Sequence, residues 1–300
     1  MLLAKERAQL IAAARLYYEN NLTQAEIAKR MGVSRPLVSK LLTKAREVGI
    51  VHIEIRAGDE GEVDLLEQLQ LKYGLLGGSV LPPGKLSKEQ VARQLAAETA
   101  TDKYLGLGWG YTIGEVMGSL EKGKLHQQNG VVYPLIGMAH FPNKGYHPDE
   151  LVRLWSEASG RSPHYLGCGA FPATAEERDE WEQSASFKEL LGLWVQSDAI
   201  IVGISDYPCV PDEATATRFG DALRRQKAVG SFLSYYYNER GEFISGNNDF
   251  CIHIPLALLR RSHKLIGIGI NAGTKALQGA LSTGLFTHVI LREEQARKLV

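Results

Sequence analysis

The sequence predicts an α/β protein in two parts, a helix-turn-helix domain over residues 1–56 and a larger domain with a doubly wound, mainly parallel sheet over 57–300. Three observations carry this. A chain of 300 residues is long for one core and suits two, at about 100–200 residues per domain. Its charge is divided: residues 1–56 hold ten basic and five acidic side chains, a net of +5, and since the whole chain has 34 of each sign the remainder carries −5. From about Gly58 onward, short apolar runs alternate with helical stretches, the pattern of a parallel sheet covered on both faces.

Composition narrows the class further. With 44% hydrophobic and 23% charged residues, the chain can bury a core without staples, which excludes disordered and collagen-like classes. Cys168, Cys209 and Cys251 form no C-x-x-C pair, so neither a disulfide framework nor a zinc site is expected. No apolar stretch approaches the roughly 20 residues of a bilayer span, and Lys5, Glu6 and Arg7 stand where a signal peptide would be apolar. A cytoplasmic protein without membrane attachment is expected.

In the basic unit, Leu10, Ala14, Tyr17 and Tyr18 have helical spacing over Arg7 to Asn20. Thr23-Gln24-Ala25-Glu26 is a capping box, starting a second helix at Thr23. That helix ends near Met31, where Gly32 can take the left-handed conformation. Ser34 opens a third helix reaching Val48, with Pro36 tolerated in its first turn. Ala28 at the crossing, Gly32 in the turn and Val33, Val38 and Leu41 as plugs complete the helix-turn-helix layout. The third helix turns Val38, Leu41, Leu42 and Ala45 inward and leaves Arg35, Ser39, Thr43 and Arg46 in an outward row beside Lys40 and Lys44. Such a row suits a major groove, so DNA contacts are assigned to Thr23, Gln24, Ser34, Arg35, Pro36, Ser39, Lys40, Thr43 and Lys44. Arg35, Ser39 and Lys40 lie nearest the bases, and Thr23, Gln24 and Lys44 face the backbone. Residues 50–56 alternate apolar and polar as a strand does, either a wing or a linker to the second domain.

In the larger domain, apolar runs fall at Tyr104–Leu107, Val131–Ile136, Ala199–Ile204, Ala228–Tyr235, Cys251–Ile254, Lys264–Ile270 and Thr287–Leu291. Helices are expected over Lys88–Asp102, Thr112–Gly118, Asp149–Ser159, Glu176–Gln196, Glu213–Arg225 and Thr274–Ser282. Ligands in such folds bind at the carboxyl ends of the strands. The first loop there, Gly106 to Glu115, has alternate glycines at Gly106, Gly108 and Gly110 and reads as a second capping box from Thr112 to Glu115, with free amides suited to an anion or a row of hydroxyls. Its glycine spacing is not that of a nucleotide loop. Gly269 to Lys275 is another strand-loop-helix entry. Gly203-Ile204-Ser205-Asp206 approaches a nucleophile elbow, but Tyr207 replaces its last glycine. The eight histidines show no metal-ligand spacing, so no catalytic residue, metal or cofactor is assigned.

These motifs together resemble the SorC family of bacterial transcription regulators, the sugar-binding DeoR-type group. The resemblance runs from about Leu10 to the end. It is carried by Leu22–Val51 (LTQAEIAKRMGVSRPLVSKLLTKAREVGIV), Gly106–Thr112 (GLGWGYT), Ala199–Ser205 (AIIVGIS), Ala228–Gly241 (AVGSFLSYYYNERG) and Ile266–Leu285, which ends in ALSTGL. It implies a sugar-isomerase-like effector domain, a homotetramer on operator DNA, and a small sugar, sugar alcohol or sugar phosphate as effector. The effector contacts it implies are Gly108, Trp109, Gly110, Thr112, Gly203, Ser205, Ser231, Asn271, Gly273, Thr274 and Lys275. Two positions depart from the family pattern. Ser231 stands where many members carry Asp, and Gly273 falls at the Lys of an A-G-G-x-x-K segment. Without that Lys a phosphate loses a charge-assisted partner, which Lys275 could restore. The effector is therefore either an unphosphorylated sugar or polyol, or a phosphosugar held by Lys275 and helix amides. A regulator of carbohydrate or polyol catabolism is the function expected. The alternative is a sugar-phosphate isomerase-like enzyme fused to a DNA-binding head.

Overall fold

The computed structural model describes residues 4–300 apart from 19, 21, 49, 52–63, 85–86, 122, 124, 126–127, 140–143 and 209–214. The chain divides into two compact units, Met1–Glu62 and Val63–Val300.

The first unit contains α1 (Ala4–Tyr18), α2 (Gln24–Met31) and α3 (Arg35–Glu47). Thr23 starts α2 through the expected capping box: the Glu26 amide donates to Thr23 Oγ1 at 3.3 Å, and the Thr23 amide donates to Glu26 Oε2 at 2.8 Å. Gly32, at φ 67° and ψ 33°, ends α2 and donates its amide to the Ala28 carbonyl. Ser34 occupies the N-cap of α3 without a side-chain hydrogen bond, so Pro36, whose ring presets the helical φ, supplies the local preference there. Leu10, Ala13 and Ala14, then Ile27 and Ala28, then Val38, Leu41, Leu42 and Ala45 form one buried core. Each large side chain removed from water here contributes about 1.5–3 kcal/mol. After α3 the amides of Ile50 and Val51 both donate to the Ala45 carbonyl, at 2.9 and 3.1 Å, turning the chain back on the helix. The remainder of the strand expected over 50–56 lies outside the described residues.

The second unit begins with α4 (Leu65–Tyr73), β1 (Gly77–Leu81), α5 (Lys88–Glu98), β2 (Tyr104–Leu107), α6 (Tyr111–Met117), β3 (Val131–Pro134), α7 (Pro148–Ser159) and β4 (Ser162–Pro163). It continues with α8 (Ala175–Gln183), α9 (Ala185–Val195), β5 (Ala199–Gly203), β6 (Ser205–Asp206), α10 (Thr215–Phe219), α11 (Ala222–Arg225), β7 (Ala228–Phe232), β8 (Tyr235–Asn238) and β9 (Phe243–Ile244). Last come α12 (Leu256–Leu259), β10 (Lys264–Ile268), α13 (Thr274–Ser282), β11 (His288–Arg292) and α14 (Glu293–Leu299). Seven strands form one parallel sheet in the order β1-β11-β10-β5-β2-β3-β4.

Consecutive residues of the central strands enter opposite cores. Leu105, Leu107, Ala199, Ile201, Ile266, Ile268 and Ile290 face the layer that contains α5, α6 and α7. Ile200, Val202, Leu265, Val289 and Leu291 face the layer that contains α9, α13 and α14. With both faces covered, the middle positions of these strands are apolar, and polar residues such as Lys264, His288 and Arg292 stand at strand ends, which explains the apolar runs in the sequence.

Several expected elements differ. The run Ala228–Tyr235 is not one strand but β7, a turn and β8, and β6, β7, β8 and β9 pair as a separate antiparallel sheet. The turn is Leu233-Ser234, both at positive φ, 48° and 63°, a conformation that favours Asn or Gly and gives no signal in these residues. Cys251–Ile254 is irregular, with one bridge from His253 to Ile136. The helix expected over Glu176–Gln196 breaks at Ser184, whose hydroxyl accepts from the Phe187 amide and starts α9. In place of the helix expected over Glu213–Arg225, residues 215–225 form α10 and α11, separated by Gly220 at φ 54°.

Candidate functional site

On the first unit the candidate surface is the outer side of α3 with the start of α2. Ser34, Arg35, Pro36, Ser39, Lys40, Thr43 and Lys44 are exposed, as is Arg46, while Val38, Leu41, Leu42 and Ala45 are buried behind them. Gln24 is half-buried at the first position of α2. The Thr23 hydroxyl serves the cap, donating to Glu26 Oε2 at 2.8 Å, and the Thr23 amide and hydroxyl hold the Glu26 carboxyl below the usual carboxylate range. Arg46 reaches back along the helix to Thr43 Oγ1 at 3.4 Å. Sequence reasoning missed Leu37, which is 43% exposed in the first turn of α3. Its heptad neighbours Val38 and Leu41 mark the inward stripe, and Leu37 falls outside it.

On the second unit the three loops do converge at the carboxyl ends of β2, β5 and β10. The Gly108 amide donates to the Ile201 carbonyl at 2.8 Å, tying the first loop to β5. A Cβ at Gly108 would lie 3.2 Å from both that carbonyl and Leu233 Cδ2. Gly110, at φ 104° and ψ −177°, is the N-cap of α6, a conformation that L side chains rarely adopt. The capping box expected from Thr112 to Glu115 is therefore not formed. Gly110 starts the helix two residues earlier, and Thr112 is buried within it, with Gly203 packed on its Cβ. Trp109 is half-buried against Phe171, ring centroids 5.8 Å apart.

Glu115 acts instead as a bridge. It pairs with Lys88 of α5, and Tyr111 and Asn271, the latter from the third loop, also favour its charged form. Partial burial opposes its ionisation, but these neighbours prevail and hold its carboxyl below the ordinary range. The second and third loops are joined by Asp206, whose Oδ1 accepts from the Gly273 amide at 2.8 Å. Gly273 is the N-cap of α13, with Thr274 and Lys275 as its first two residues, and Lys275 is exposed. Ser205 and Ser231 are directly paired across β6 and β7, and Ser231 is buried. Asp206 and Glu115 were not singled out as site residues, although Asp206 follows Ser205 at the same strand end.

Residues 59–300 match the family model described as "Putative sugar-binding domain", and residues 6–60 match that of the MarR family. The chain belongs to the SorC family of sugar-binding-domain regulators. Among SorC-family and related proteins, it is 28% identical to the deoxyribonucleoside regulator of Bacillus subtilis, over 99% of this chain and 98% of that one. It is 27% identical to the sorbitol operon regulator of Klebsiella pneumoniae, over 97% of each chain. The crystal structure of the full-length sorbitol operon regulator SorC from Klebsiella pneumoniae superposes with a TM-score of 0.74 at 25% identity, covering 98% of both chains. The resemblance expected from the helix-turn-helix and glycine-loop motifs is thus found over the whole length. So is the α/β architecture expected for the SorC family, with helices on both sides of a parallel sheet.

Proposed function

We propose that this chain is a DNA-binding regulator of carbohydrate or polyol catabolism whose operator affinity is set by a small sugar, sugar alcohol or sugar phosphate. In this reading residues 1–56 read DNA, and residues 57–300 bind effector and form the homotetramer. The observation that carries it is the presence, in one chain matching sugar-related regulators end to end, of an exposed polar row on α3 and three converging loops at the sheet's carboxyl edge. Arg35, Ser39 and Lys40 contact bases, with Leu37 beside them as an apolar contact. Gln24, Ser34, Pro36, Thr43 and Lys44 face the DNA backbone. Thr23 acts through the cap and the start of α2.

Control works by population shift. The effector binds one arrangement of the subunits more tightly than another, and one arrangement spaces the reading helices to match the operator. The protein acts in the cytoplasm and by binding rather than turnover; no helix among the described residues is long and apolar enough to cross a membrane. An operator selected from random DNA, then titrated in the presence of matched free and phosphorylated sugars, tests the reading. One member of the panel should change operator affinity, and Gly110→Val should abolish that response while leaving the affinity itself largely intact. Release of product from any panel member, with no effect on DNA binding, would favour an isomerase-like enzyme instead.

A further inference from the structure

The seven-stranded sheet has two edges, and the chain treats them differently. At one edge β4 is two exposed residues long, and Pro163 within it has no amide to offer a further strand. The other edge is β1. It runs five residues, Gly77–Leu81, in unbroken parallel register with β11, and among the described residues no strand lies on its other side. Val80 packs against one core and Leu81 against the other, yet all five residues keep partial exposure. Along a parallel strand the backbone groups turn alternately to each side, so about half of the donors and acceptors of β1 face away from β11. Proteins blunt such an edge with a charge, a proline or a bulge. β1 has none of these: no residue from Tyr73 to Leu81 is charged, and the first proline is Pro82, beyond the strand.

The residues that lead into β1 add an apolar flank. Leu71, on α4, is 80% exposed, and Leu76, directly before β1, is 71% exposed. Among the described residues these are the two most exposed large apolar side chains, ahead of Val195 at 58%. α4 packs on β1, and Gly74, at φ 71°, makes the turn between them. The Leu76 amide donates to the Thr287 carbonyl at 2.7 Å, so its backbone is committed to the sheet while its side chain stands in water. Lys72, the cation next to this turn, is drawn off toward α14, where its Nζ donates to the Leu299 and Val300 carbonyls at 2.7 and 3.2 Å.

An open backbone edge beside two exposed leucines is satisfied by an uncharged strand that brings an apolar flank of its own. This chain carries such a strand, β1 itself. Two copies of β1 related by a two-fold axis pair antiparallel, and that arrangement consumes both free edges and closes. A strand added head to tail would expose a new edge each time and grow without end. We propose that β1, with Leu71 and Leu76, is an interface between two copies of this chain: the β1 strands pair antiparallel across a two-fold axis, the two sheets run on as one, and the leucines of each copy are covered by the other. This rests on the homo-oligomer of the proposed function and names a face that forms it. A two-fold axis also suits operator binding, in which paired reading helices meet two half-sites.

The test uses the full chain. Sedimentation gives its mass over a range of concentrations, and hydrogen exchange on the same samples reads β1. Wild type should be a closed oligomer. Leu71→Lys combined with Leu76→Lys should halve its mass and leave the circular dichroism unchanged, because both side chains are exposed within one copy. Val195→Lys, an equally drastic change at an exposed position of α9, should leave the mass as it is. The amides of β1 should all be protected in wild type, and in the double variant about half of them, those facing away from β11, should lose that protection. An oligomer whose mass ignores the lysine pair, or whose β1 amides exchange alike in wild type and variant, would overturn the assignment of this face while leaving the homo-oligomer standing. A wild type that stays monomeric at every concentration would remove the homo-oligomer and the interface with it. Growth with concentration to no fixed mass would overturn the two-fold pairing. If the lysine pair disturbs folding, dilution of wild type takes its place: β1 should lose protection where the mass falls, and protection that survives in the monomer would overturn the inference.

Discussion

Arg218 donates from Nε to Asp249 Oδ1 at 2.8 Å, and its guanidinium lies between the rings of Phe171 and Phe219, 4.6 and 4.9 Å from their centroids. Arg218 is 4% exposed, so the pair is largely removed from water, on the wall of a cavity of about 250 Å³. Removing one member of such a pair costs far more than replacing both. Asp249→Ala should lose about 3 kcal/mol of stability, seen as a lower urea midpoint at unchanged slope. Arg218→Met combined with Asp249→Leu should recover part of that loss. A double variant whose loss is simply the sum of the two single losses would show that the residues do not act as a pair.

The reading helix can be dissected by salt. Arg35→Ala should cost about 1–3 kcal/mol on the selected operator and little on random DNA. Lys44→Ala should weaken binding to every sequence and lower the salt slope by about one. Leu37→Ala should reduce specific binding without changing the melting temperature, since Leu37 is exposed. Equal losses on specific and random DNA for Arg35→Ala would place that residue on phosphate.

Thr23 carries a prediction about stability. Thr23→Ala removes the hydroxyl that accepts from the Glu26 amide while keeping the backbone half of the capping box at α2 and should destabilise the first unit by about 1 kcal/mol, with Thr23→Ser restoring it. Circular dichroism of the unfolding transition reads the difference. Because the Glu26 carboxyl is held below its ordinary pKa, the cap's charge-dependent part is present at neutral pH and is lost as pH falls through that lowered value.

His253 should make the larger unit acid-sensitive. Its Nδ1 meets the Leu233 carbonyl at 2.8 Å, and its ring stacks on Tyr235 at 4.0 Å. Burial pushes its pKa down to about 4. The unfolded chain therefore binds a proton, between its ordinary value near 6.5 and that lower value, which the folded chain does not. Stability is complete at neutral pH and declines as pH falls across that window. His253→Gln, which can still donate to Leu233, should flatten the decline. An unchanged pH profile of the melting temperature would remove His253 from this role.

Much of the fold was legible where local chemistry and tertiary position agree. Thr23, Gly32 and Pro36 name the helix-turn-helix boundaries, and β2 falls on the expected run Tyr104–Leu107 because both faces of that strand are buried. β1, with Gly77 and Gly78 at its start, has poor strand formers and is held by pairing with β11, a long-range contact with no local signature. The hairpin at Leu233-Ser234 was invisible for the same reason. Within the candidate site, the glycine loops could be read because Gly110 has a backbone reason to be glycine. Asp206 and Glu115 could not be ranked, since each matters through a partner far along the chain, Gly273 and Asn271 respectively.

The Leu233-Ser234 turn has a consequence for the order of folding. Neither residue favours positive φ, so the turn does not specify itself. His253 holds the Leu233 carbonyl, and Arg218 Nη2 holds that of Ser234 at 3.4 Å. The two holding side chains come from segments on either side of the hairpin in the sequence, so the hairpin gains its brace after those segments have docked on the sheet. It should then be among the last parts of the larger unit to gain protection in pulsed hydrogen exchange, and among the first to lose it under mild denaturant, well below global unfolding.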